Sequence, residues 1–122
     1  MTSGIFPQPA PFKEKSRVYD LKSRLDWGEP ALTIIDVRDR ATFNQGHIMG
    51  AISFPSEEVV SRVNTNLERD RDIYVYSETD EETAAVATRL REAGFKRVAE
   101  LTGGIGAWKA ADYPVEATST VA

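Results

Sequence analysis

Two short runs of β-branched and aromatic residues, Leu32-Thr33-Ile34-Ile35-Asp36-Val37 and Ile73-Tyr74-Val75-Tyr76, constrain this chain most. Apolar runs of this length without polar alternation fit strands covered on both faces, and strands of that kind belong to parallel sheets. Helical spacing surrounds them: Val18, Leu21 and Leu25 recur at helical intervals before the first run, and Thr83 to Ala93 forms an Ala-rich amphipathic segment after the second. Strands alternating with helices predict an α/β domain with an open parallel sheet.

Local signals divide the rest of the chain. Pro7, Pro9 and Pro11 alternate with Gln8 and Ala10, which predicts an extended arm over residues 1–15. A first helix from Ser16 should stop at Gly28-Glu29-Pro30. Ala51 to Pro55 reads as a brief strand, Ser56 as the cap of a helix through Val63, Asn64 to Asp72 as a loop and Arg97 to Leu101 as a strand. Gly103-Gly104-Ile105-Gly106 lacks the full dinucleotide fingerprint; it reads instead as a site of close packing leading into a helix around Ala107 to Ala110. The domain then spans residues 16–116, with a polar tail over residues 117–122. Trp27 and Trp108, at helix ends, are expected to complete the edge of the core.

A chain of 122 residues with 41% hydrophobic content suits one domain. It has no cysteine and a single histidine, His47, which excludes disulfides, thiolate metal sites and multi-histidine metal centres, and no cofactor is implied. The formal net charge is -4 and no basic face is evident, so nucleic acid and anionic membrane are excluded as partners. No apolar run approaches the roughly 20 residues of a membrane span, and the first residues lack a secretory pattern. The expectation is a cytoplasmic monomer.

The segment Ser77-Glu78-Thr79-Asp80-Glu81-Glu82 stands between the second strand and its helix. A strand-to-helix turn gathers backbone N–H groups that hold anions. Here four carboxylates take that place, so the loop should repel phosphate, sulfate or a sulfur anion.

Three segments together resemble the rhodanese-like domains, from about Tyr19 to Glu116. Ile34-Ile35-Asp36-Val37-Arg38-Asp39, Phe43 and Gly46-His47-Ile48-Met49-Gly50-Ala51-Ile52 are similar to that family's entry motif. Gly94-Phe95, Val98, Leu101-Thr102-Gly103-Gly104-Ile105-Gly106-Ala107-Trp108 and Tyr113-Pro114-Val115 are similar to its closing motif. The resemblance implies a five-stranded parallel sheet with helices on both faces and an active-site loop after Tyr76. It also implies a nucleophilic cysteine at the position of Ser77, a glycine at Asp80 and an arginine at Glu82, while Thr83 suits the family's small hydroxyl residue.

All three departures oppose sulfur transfer. A hydroxyl neither holds sulfur as a persulfide nor ionises near neutral pH, and Glu82 reverses the charge that would clamp an anion. The cysteine phosphatases and arsenate reductases that share the fold need the same thiol and cradle. The expected protein is therefore a catalytically inactive member whose loop acids Glu78, Asp80, Glu81 and Glu82 bind a protein with a basic surface. Two alternatives stand beside it: a regulatory domain whose loop carboxylates hold Ca2+ or Mg2+, and a sulfur-relay component using a partner's thiol.

A plainer reading accounts for part of the loop. Thr79-Asp80-Glu81-Glu82 has the pattern of a capping box, worth about 1 kcal/mol for the cap, and acids in a first helical turn interact favourably with the helix dipole. It leaves Glu78 and the lost glycine unexplained. Asp36, Arg38 and His47 are expected to support the loop structurally. No Gly-x-Ser-x-Gly elbow accompanies Ser77, which speaks against a serine hydrolase using Ser77 and His47.

Overall fold

The computed structural model describes residues 11–28 and 31–118. The arm over residues 1–10, Glu29 and Pro30 of the stop signal, and residues 119–122 of the tail lie outside them.

In chain order the elements are β1 (Lys15–Ser16), α1 (Val18–Trp27), β2 (Leu32–Asp36), α2 (Arg40–Gln45), β3 (His47–Ile48), β4 (Ile52–Ser53), α3 (Val59–Asn66), β5 (Asp72–Tyr76), α4 (Asp80–Glu92), β6 (Val98–Leu101), α5 (Gly104–Ala110) and β7 (Val115–Glu116). Five strands form one sheet in the order β1-β6-β5-β2-β4, and every pairing in it is parallel. This is the expected α/β architecture. The two apolar runs are neighbours at its centre, with Ile34 opposite Tyr74, Ile35 opposite Val75 and Asp36 opposite Tyr76.

The period of a strand splits the core in two. Ile34, Tyr74, Tyr76, Ala99 and Leu101 pack with Leu21 of α1 and Trp108 of α5 on one face. Ile35, Ile73, Val75 and Val98 pack with Val59 and Val63 of α3 and Val86, Ala87 and Leu90 of α4 on the other. Helices thus cover both faces. Among the described residues no helix is long and apolar enough to cross a membrane.

Several local expectations change. Lys15, assigned to the arm, pairs with Glu100 in β1, and Phe12 packs edge-on against Tyr74, so residues 11–15 join the domain. Ser56 does not cap α3; its N–H bonds the Val37 carbonyl, which holds it at the end of the sheet. The helix starts after Glu58 and continues through Asn64 to Asn66, where Asn66 Nδ2 donates to the Arg62 carbonyl. Trp108 is fully buried as expected, whereas Trp27 is 39% exposed. The antiparallel pair β3–β7, with His47 opposite Glu116, had no counterpart in the sequence reading.

Candidate functional site

The acidic loop lies at the carboxyl ends of β2 and β5, where open α/β sheets place ligand groups. Buried β5 ends at Tyr76, the chain turns at Ser77-Glu78, and Thr79 caps α4. Thr79 Oγ1 accepts the Glu82 N–H at 3.1 Å, and the buried Thr83 returns its hydroxyl to the Thr79 carbonyl at 3.0 Å. Asp80, Glu81 and Glu82 fill the first helical turn, on the favourable side of the helix dipole.

The capping box is altered at its second bond. Instead of turning back to the cap's backbone, Glu82 Oε1 accepts the hydroxyl of Ser77 at 3.1 Å. A carboxylate therefore rests against Ser77, where the resemblance implies a nucleophile.

The loop acids face two different hollows. Glu78 and Glu82 line a cleft of about 370 Å³ with Ser77, Arg38, Asp39, Glu57 and Arg89. Four acids outnumber two guanidiniums there, and both guanidiniums are engaged: Arg38 with Asp36, and Arg89 with the Ser56 carbonyl at 3.0 Å. Asp80 and Glu81 turn to a second hollow of about 320 Å³ bordered by Lys15, Glu100 and Thr102. Asp80 Oδ1 also accepts the Gly103 N–H at 2.9 Å. Among the described residues, no three acidic or histidine side chains are grouped so that they could hold a metal ion.

Arg38 lines the cleft, and Asp36 holds it from behind. Asp36 is fully buried and accepts the Arg38 backbone N–H at 3.0 Å as well as its guanidinium, with Nη2 to Oδ2 at 2.6 Å. Burial works against the guanidinium charge, but the Asp36 hydrogen bond and charge outweigh it, so Arg38 holds its proton more firmly than usual. Arg38 Nη1 also lies 3.8 Å from Glu78 Oε2, although Glu78 is 60% exposed. Such a contact fixes Glu78 weakly.

His47 sits apart from the loop. It stacks on Phe43 at 3.7 Å between ring centres, and its nearest tie to the cleft is the adjacent Gly46 carbonyl, which accepts Arg38 Nη2 at 2.7 Å. Arg38 meets the loop only at Glu78, Asp36 meets Arg38, and His47 lies between the Phe43 carbonyl and Glu116.

Two glycines fit α5 against the loop. Gly103 caps α5 with φ +80°, and a Cβ there would meet Ala107 Cβ at 2.6 Å. At Gly104, with φ +51°, a Cβ would meet the Ser77 carbonyl oxygen at 3.1 Å. Close packing thus holds at Gly103 and Gly104, whereas a Cβ at Gly106 would meet nothing within 4 Å. The sequence reading did not find Asp39, Glu57 and Arg89; for Arg89 a signal existed, because Glu82, Val86 and Arg89 follow helical spacing along one face of α4.

Comparison with known proteins agrees with this geometry. Residues 17–111 match the family model described as "Rhodanese-like domain". A crystal structure of the Alr3790 protein from Anabaena sp. is 54% identical, with a TM-score of 0.84, covering 86% of this chain and 94% of that one. A protein of Allochromatium vinosum named "Sulfurtransferase" is 31% identical over 97 residues, covering 80% of this chain and 89% of its own length. The protein YqhL of Bacillus subtilis is 32% identical over 75 residues, covering 62% of this chain; the match spans 59% of YqhL. The two-faced parallel sheet, the entry and closing motifs and these matches lead to one conclusion: the chain belongs to the rhodanese-like domain family.

Proposed function

We propose that this domain does not transfer sulfur and instead serves as a protein-binding or regulatory module, meeting the basic surface of a partner through the acids of the former active-site loop. The observation that carries this reading is the Glu82 carboxylate bonded to the Ser77 hydroxyl at 3.1 Å. It puts negative charge where a sulfur anion would have to bind, beside an oxygen that cannot carry a persulfide. Relatives named as sulfurtransferases supply the ancestry of the fold rather than the activity of this chain.

Exposed acids at a cleft rim act mainly on encounter rate and specificity, and their effect falls with salt. Glu78, Glu82, Glu57 and Asp39 give the cleft that character. A monomer presenting one such face is the simplest assembly. Sulfur relay through a partner's thiol fits less well, because a thiolate or persulfide would enter against the same carboxylates.

Two measurements test the proposal. Purified protein should show thiosulfate-to-cyanide transfer at the level of a no-protein control; turnover that persists through purification would refute inactivity. Pull-downs from native lysate should compare the intact chain with Glu78→Gln/Glu82→Gln and with Asp80→Asn/Glu81→Gln, all shown to be folded. A protein captured by the intact chain and lost with the first pair identifies the cleft as the recognition surface. Capture unaffected by either pair would leave the loop acids as helix caps.

A further inference from the structure

Strand β2 is paired unequally on its two sides. β5 runs beside all of Leu32–Asp36, whereas β4 meets only Ile35 and Asp36. The Phe54 N–H reaches the Asp36 carbonyl at 3.1 Å from the β4 side, and the Tyr76 carbonyl of β5 takes the Val37 N–H. Backbone groups of alternate residues turn to the same neighbour, so Leu32 and Ile34 also present theirs to the β4 side. Arg71 Nη2 occupies the Leu32 carbonyl at 2.9 Å. Among the described residues nothing accepts the Ile34 N–H, although Ile34 is buried. A buried backbone donor calls for an acceptor.

Beside that donor lies an apolar hollow of about 350 Å³, bordered by Leu25, Leu32, Ile34, Met49, Ile52 and Leu67. Leu25, Ile52 and Met49 are exposed at its rim, Met49 by 48%. The place thus suits a large apolar side chain that arrives with a carbonyl and needs no acceptor in return. It shares no lining residue with the acidic cleft, so what fills it is independent of the function proposed above.

We propose that the chain's own amino-terminal segment fills this hollow, with Phe6 inside it and a main-chain carbonyl of the segment on the Ile34 N–H. The chemistry matches. Ile5-Phe6 supplies large apolar side chains, and Phe6, Gln8 and Ala10 each precede a proline, which disfavours helical backbone there. Pro7 and Pro9 bring carbonyls without N–H groups, which suits an edge that offers a donor.

Reach is sufficient. Phe12 packs against Tyr74 at 5.6 Å between ring centres, and Tyr74 stands opposite Ile34. The described chain therefore begins about 4.8 Å, one strand spacing, from the strand that carries the donor. The carboxyl-terminal turn of α1 intervenes, with Arg24 on the Tyr74 hydroxyl at 3.0 Å and Leu25 at the hollow. Phe6 precedes Phe12 by six residues. Extended, they span up to about 20 Å, enough to round a helix about 10–12 Å wide.

NMR of the full chain with labelled methionine methyls tests the proposal. Met1 and Met49 are the only methionines, which makes the Met49 methyl readily assigned. That methyl should show nuclear Overhauser contacts to the Phe6 ring. Amide exchange at Ile34 should accelerate about threefold in Phe6→Ser, the change for a tethered segment that covers the hollow about two-thirds of the time. It should stay slow in Phe6→Leu, which keeps an apolar side chain. Both results should be independent of protein concentration. Missing contacts between Phe6 and Met49 would overturn the proposal, as would Ile34 exchange that ignores Phe6→Ser. Contacts that appear only as the protein is concentrated would assign the hollow to the segment of a second copy and overturn the intramolecular arrangement.

Discussion

Asp80 Oδ1 accepts the backbone N–H of Gly103 at 2.9 Å, so this loop acid ties the start of α4 to the cap of α5. Asp80→Ala should therefore cost about 0.5–1.5 kcal/mol, the net worth of one hydrogen bond. Glu81→Gln and Glu78→Gln, on the exposed side of the loop, should change stability by less than about 0.5 kcal/mol. Urea unfolding of the three variants checks the contrast.

Thr79 supplies the side-chain cap of α4 through its bond from the Glu82 N–H. Thr79→Ala is expected to lose about 1 kcal/mol while Thr79→Ser keeps nearly all of it, since either hydroxyl can accept that bond. Thermal melts of the two variants separate the oxygen from the methyl group.

The buried Asp36–Arg38 pair predicts a larger loss. Asp36→Asn leaves a guanidinium that is 7% exposed without its countercharge, at a cost of about 3–5 kcal/mol. Chemical denaturation with an unchanged m-value would show that the effect is on stability.

Sulfur chemistry offers a sharper test of the loop field. In Ser77→Cys the new thiol would stand beside the Glu82 carboxylate, which raises its pKa and depletes the thiolate. Ser77→Cys should alkylate about tenfold more slowly at neutral pH than Ser77→Cys/Glu82→Gln, the effect of about one pKa unit. The chain has no other cysteine, so iodoacetamide kinetics report this site alone. Equal rates would mean that Glu82 does not set the local potential.

Acid stability should depend on Asp72. Burial pushes its carboxyl upward, but hydrogen bonds from Arg97 and Arg24, with their charges, outweigh burial and hold it below the ordinary range. A depressed folded-state value contributes stability that is present above the unfolded value and lost as pH falls through the folded one. Asp72→Asn should be less stable than the parent at neutral pH and show a flatter decline below about pH 4. Asp39, lowered chiefly by the Thr42 backbone N–H it accepts, has the same sign at an exposed site.

The architecture was legible because β2 and β5 are buried on both faces and carry no competing pattern. What escaped notice depends on contacts distant in sequence. Lys15–Ser16 gives too short a pattern to announce a strand, and it becomes one by pairing with Glu100 and Leu101. Ser56 is a good cap by residue type, yet α3 begins only after Glu58. In the loop, the charge and the capping threonine were readable. The division of its acids between two hollows was not, because it follows from where Arg89, Glu57, Lys15 and Glu100 are brought by the fold.

The approach of Gly104 to the Ser77 carbonyl has a consequence for how the loop can vary. Its floor is main chain against main chain, and of residues 77 to 83 only Thr83 is buried. The residues that would decide the chemistry are therefore an interchangeable rim on a fixed base. Substitutions at Ser77, Glu78, Glu81 or Glu82 leave both halves of the core as they are, so a lineage can abandon one ligand and acquire another without passing through an unfolded protein.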